Sequence, residues 1–112
     1  MQDLIVTLIQ TDLIWEDIRA NLERFTKKIN DLNEDTDLIV LPEMFSTGFS
    51  TDPSDCHETM DGRSMTWMAE MAEAMNCTIT GSLLIRDGNR YFNRLIWMDR
   101  NGNYQTYDKR HI

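Results

Sequence analysis

Cysteine is scarce: Cys56 and Cys77 are the only two, too few for a disulfide framework, and reduced thiols are the default in the cytosol. Long apolar runs are missing, and nothing approaches the ~20 residues of a membrane span. The first apolar run, Leu4 to Ile9, is short, interrupted by Thr7 and preceded by no basic segment, so it does not read as a signal-peptide core. A cytoplasmic protein is expected. Positive charge is also short. Eleven Lys and Arg face nineteen Asp and Glu, and the net charge of -8 argues against nucleic acid and anionic membranes as partners. There is no glycine-rich phosphate loop, no basic stripe, no internal repeat and no low-complexity segment. Cys56, His57 and Glu58 place potential metal ligands side by side, but adjacent residues lack the spacing of a ligand set and no second pair exists. No metal and no cofactor are expected.

What is there suits one α/β domain. The 112 residues are 41% apolar and 27% charged, an ordinary globular balance. Eight methionines read as flexible core filling. Leu4 to Ile9 reads as a buried strand. Ile18, Leu22, Phe25, Ile29 and Leu32 then recur at spacings of four, three, four and three, which is one face of an amphipathic helix. Asp37 to Leu41 is a second strand, completing a strand–helix–strand unit with parallel strands. Residues 46–61 read as a long loop, and loops of that length are often functional. A second helix is predicted from about Asp61–Ser64 to Asn76, with Met68, Met71, Ala72 and Met75 as its apolar stripe. Thr78 to Ile85 and Tyr91 to Met98 form a hairpin across Asp87-Gly88-Asn89. Asn101-Gly102 is a turn, and Tyr104 to Tyr107 is a fifth strand that ends at Asp108-Lys109-Arg110-His111. The helices are expected on one face of the sheet.

The stretch DLIVLPEMF, Asp37 to Phe45, poses the functional question. Proline cannot continue a central ladder, so the strand stops at Pro42 and presents Glu43 just beyond its carboxyl end. In open α/β sheets ligands bind at that end. Rim positions also hold idle solvated carboxylates, so the residues alone leave both readings open. Lys109, too, reads equally as part of an ordinary charged turn.

LPEMFSTGF (Leu41 to Phe49) followed by YDKRHI (Tyr107 to Ile112) resembles the nitrilase, or carbon–nitrogen hydrolase, superfamily, in particular its omega-amidase-like branch. Gly81-Ser82, Asn93 in YFNRLIWM, the DRNGN turn, Leu8-Ile9-Gln10 and Asn21-Leu22 fit as well. The resemblance implies the N-terminal part of an α-β-β-α sandwich, with residues 1–112 an incomplete carbon–nitrogen hydrolase domain. It implies a Glu–Lys–Cys triad in which Glu43 is the general base and Lys109 the lysine. Amide hydrolysis by a thiol needs a base to take the thiol proton and later to activate water, and a cation to stabilise the oxyanion. It implies a small-molecule amide substrate, such as the omega-amide of an oxo acid like 2-oxoglutaramate, and a homodimer formed by sandwich packing.

The family's cysteine sits in a later strand-to-helix turn, beyond Ile112, so the chain looks like less than half of a family member. Cys56 and Cys77 lie outside the nucleophile's motif and are read as structural. His111 is read as ordering the loop near Lys109. Phe45 and Phe49 default to core packing, with Phe49 the candidate to line a substrate pocket. The rival to the enzyme is an inactive half-domain that acts only by associating with another chain, because half a sandwich leaves an apolar face uncovered.

Overall fold

The computed structural model describes residues 3–50 and 52–111. Apolar residues at helical spacing form α1 (Ile18–Asn30), in which Leu22, Phe25 and Ile29 are buried. Asp17 caps its start by accepting from the Ala20 N–H at 3.0 Å, and Lys27 and Lys28 lie in its last turn against the negative end of the helix dipole. The second helix, α2 (Arg63–Met75), buries Met65, Trp67, Met68, Met71 and Ala72 and ends at Asn76 in the left-handed conformation.

Five strands make one sheet in the order β1 (Val6–Leu8), β2 (Leu38–Val40), β3 (Thr78–Asp87), β4 (Arg90–Met98), β5 (Tyr104–His111). The first two pairings are parallel and the last two antiparallel. Ile39, Leu41, Ile79, Leu83, Ile85, Ile96 and Met98 join the buried faces of both helices in one core cluster. Alternation along the strands therefore assigns Ser82, Leu84, Asn93, Leu95, Trp97 and Tyr107 to the opposite face. Both helices thus cover one face, as the sequence predicts.

The helix face closes tightly around three rings. Phe25, Phe45 and Trp67 have centroid separations of 5.8, 6.4 and 5.7 Å. Gly81 of β3 lies directly beneath Phe45: a Cβ there would sit 2.9 Å from Phe45 and 3.0 Å from Leu41. Only glycine lets the backbone of β3 approach that closely.

Two expectations need correction. The first strand is not buried. It is an edge strand of three residues, and Leu4, Ile5, Val6 and Leu8 are exposed. Its outward side chains lie on the face without helices, where Trp97 and Tyr107 are also exposed. The fifth strand does not stop at Tyr107 but runs through to His111, so Lys109 lies inside it.

Candidate active site

Residues 43–47 form a turn immediately after β2, and Glu43 opens it. The backbone there is held on every side. The Met44 N–H donates to Ser82 Oγ at 2.9 Å, and the Phe45 N–H to the Ser82 carbonyl at 3.2 Å. The Met44 carbonyl accepts from the N–H groups of Thr47 and Gly48. Met44 itself is in the left-handed region at φ 51°, rare for a residue with a side chain, and is fully buried. Buried Asn21 donates to the Ser46 carbonyl at 2.8 Å and exchanges two hydrogen bonds with the backbone of Ile14. The Glu16 N–H donates to the Thr47 carbonyl at 2.7 Å.

Lys109 reaches the same place from β5 by a different device. The register of β4 and β5 slips at this point: Arg94 faces Asp108, but the next residue, Asn93, faces Arg110. Lys109 is the extra residue of a β-bulge, a feature that re-aims a side chain. Arg94 pins the residue before it. Its guanidinium donates to both oxygens of Asp108, at 2.6 and 3.2 Å, and to Asp87 at 3.0 Å. Hydrogen bonding to Asp108 raises the Arg94 pKa, although burial opposes the rise. With Asp108 drawn to the helix face, Lys109 is delivered to the other. There its Nζ forms an ion pair with Glu43 Oε1, across 66 residues of sequence. Both side chains remain partly exposed, at 36% and 47%.

Other predicted residues stand apart from this pair or give it support. Phe45 is in the core, as expected. Phe49 is not: it is 55% exposed, and its carbonyl accepts from Trp15 Nε1 at 3.3 Å. The glycine before it, with φ 73°, turns the chain outward there. His111 ends β5, and its side chain lies outside the described residues. Cys56 and Cys77 are buried free thiols. Burial pushes both thiols up, and Glu16 and Glu58 add to the effect at Cys56, as Asp37 does at Cys77. A nucleophilic cysteine needs the opposite shift, so both fit the structural reading. His57 Nδ1 lies 2.8 Å from the Pro53 carbonyl, while the Glu58 carboxylate turns away to Ser64 and Ser46.

Glu58 is the residue that the sequence conceals. It is buried and accepts from the Ser64 N–H at 2.8 Å, from the Ser64 hydroxyl, and from the Ser46 hydroxyl at 3.4 Å. It thereby satisfies the start of α2, where Gly62 offers no side chain of its own. It also ties that helix to the turn that carries Glu43. The available signal is faint: an acidic residue shortly before a helix that opens with Gly-Arg-Ser.

The chain thus forms an α/β layer with its described helices on one face and a carboxylate–ammonium pair just beyond the carboxyl end of the parallel strand β2. The chain belongs to the carbon–nitrogen hydrolase family, whose model matches residues 5–112. It is 34% identical over 112 residues to omega-amidase YafV of Escherichia coli (strain K12) and 31% identical to that of Yersinia enterocolitica. In both cases all of this chain aligns, and it spans 43% of the relative's length. Among solved structures, XC1258 from Xanthomonas campestris, a CN-hydrolase superfamily protein, superposes with a TM-score of 0.92 at 38% identity, over 99% of this chain and 42% of that one. An N-terminal amidase superposes with a TM-score of 0.82 at 20% identity, over 95% of this chain and 28% of that one, and shares the fold.

Proposed function

We propose that the protein carrying this chain is an amidase that hydrolyses a small carboxamide to its acid and ammonia, with Glu43 as general base and Lys109 as the cation facing the oxyanion. The observation that carries this reading is the Glu43–Lys109 pair, which joins the turn after β2 to β5. In the reaction, Glu43 takes the proton of a cysteine thiol, and the sulfur attacks the amide carbon. Lys109 stabilises the oxygen that becomes negative. The C–N bond breaks and ammonia leaves, taking the proton that Glu43 held. Glu43 then deprotonates a water that cleaves the thioester. The nucleophile belongs to the part of the protein beyond residue 112, in keeping with a chain that spans 43% of its curated relatives.

The substrate class is the omega-amide of an oxo acid, as the names of the curated relatives suggest. Phe49, exposed beside Trp15, lines the entrance for that substrate. Residues 1–112 form the N-terminal part of one domain, and the rest of the protein covers the face that carries Leu8, Trp97 and Tyr107. The enzyme is cytoplasmic and dimerises by sandwich packing. The same exposed face favours a second reading for the 112 residues taken alone, an inactive half-domain that associates with another chain. Among the described residues, no helix is long and apolar enough to cross a membrane.

The test is ammonia release by the full-length protein from 2-oxoglutaramate, with a simple nitrile and an N-carbamoyl amino acid as competing substrates. Hydrolysis of the amide well above the other two is expected. Turnover of the nitrile or the carbamoyl compound alone would move the protein to another branch, and no turnover of any of them would refute the amidase reading.

A further inference from the structure

We propose that Ser82 is a positioning residue for Glu43, acting through the backbone of Met44 and Phe45; this rests on the general-base reading of Glu43 above. Glu43 is followed by a residue in a conformation that costs energy for any side chain larger than glycine. Such a conformation persists only where its surroundings impose it, and here they are identifiable. One residue of β3 holds both N–H groups that follow Glu43: Ser82 Oγ accepts from Met44 at 2.9 Å and the Ser82 carbonyl from Phe45 at 3.2 Å. Both Ser82 and Met44 are buried, so water does not readily substitute for the hydroxyl.

The residue before it completes the clamp from the other face. Gly81 lets Phe45 settle onto β3, with Leu41 and Phe45 within 3.0 Å of where a Cβ would stand. The Phe45 side chain is thus fixed on the helix face, and the Met44 N–H is fixed on the face that carries Lys109. Glu43 opens this clamped turn, and its carboxylate pairs there with the Lys109 ammonium. Without the Ser82 hydroxyl, the buried Met44 N–H loses its acceptor, and the peptide joining Glu43 to Met44 loses the bond that fixes its orientation. A shift of about 1 Å in a reacting group is enough to cost on the order of a hundredfold in rate.

The experiment compares Ser82→Ala, Ser82→Cys, Thr80→Val and Glu43→Gln in the full-length protein, with steady-state kinetics on the omega-amide substrate and amide hydrogen exchange. Thr80 is the control: it lies on the same strand as Ser82, but its buried hydroxyl donates to the Ile96 carbonyl of β4 at 2.8 Å rather than bonding the turn. Ser82→Ala should lower kcat about 10- to 100-fold with KM within twofold, and the Met44 amide should lose protection. Ser82→Cys, a weaker acceptor of similar size, should recover part of kcat, and it carries the same test if the alanine variant fails to fold. Thr80→Val should lose comparable thermal stability and keep kcat. An unchanged kcat in folded Ser82→Ala or Ser82→Cys, or an equal loss of kcat in Thr80→Val, would overturn the proposal. If either result comes with a dead Glu43→Gln, positioning alone fails. If Glu43→Gln still turns over, the general-base reading fails and the positioning role falls with it.

Discussion

Lys109→Ala in the full-length protein should fold normally and lose about 10²- to 10³-fold in kcat for amide hydrolysis, the usual cost of deleting a donor to a developing oxyanion. Stability should hardly change. Both partners of the ion pair are more than a third exposed, and pairs in that setting contribute little to folding. Lys109→Arg should recover little. An arginine carries the charge, but its planar fork cannot take the place of a compact ammonium at the tip of a bulge. Kinetics on the omega-amide substrate, with thermal unfolding as the folding control, would check both variants. Arg94 binds Asp108 through both carboxylate oxygens and is itself buried, which anchors the residue before Lys109.

Glu58→Ala should be the most destabilising single change outside the apolar core, at about 3 kcal/mol. The substitution strips the acceptor from the buried Ser64 N–H and from two hydroxyls, and it removes a carboxylate from the positive end of α2. For the full-length protein, that loss corresponds to a drop in Tm of roughly 6–12 °C. Glu58→Gln should fall between wild type and Glu58→Ala, because an amide oxygen still accepts from the Ser64 N–H while its NH2 group forces the Ser64 and Ser46 hydroxyls to turn from donating to accepting. Gly62 shows how closely the site is fitted: a Cβ there would come within 2.9 Å of Glu58 Oε1. Calorimetry on the three proteins measures the order. Since Glu58 also holds Ser46, in the turn begun by Glu43, the Ala variant should lose activity at temperatures where it remains folded.

Much of this arrangement was legible in the chain. The helices announced themselves because burial on one face imposes a period that Leu22, Phe25 and Ile29 obey. The end of β2 was legible because Pro42 must stop a ladder. The start of the chain misled for a reason that its neighbours explain. A run of Leu, Ile and Val normally marks a strand covered on both faces, yet among the described residues one face of the sheet carries no helix. The end of β5 misled in the opposite way. Asp108, Lys109 and Arg110 look like a solvated turn, and a bulge leaves no mark on apolar alternation. Glu58 stayed hidden because its partners lie six residues ahead and twelve behind, at no period that secondary structure would reveal. Ser82 sits in an apolar strand where a hydroxyl reads as filler, and its acceptor role depends on a turn 38 residues earlier.

The most direct test of the central claim is ammonia release from the omega-amide substrate by full-length Glu43→Gln, matched to the wild type in Tm. The substitution keeps the size of the side chain and removes its ability to take a proton. The account predicts that kcat falls by at least about 10²- to 10⁴-fold, the range typical of a lost general base. A folded Glu43→Gln protein that turns over within a few fold of wild type would contradict it.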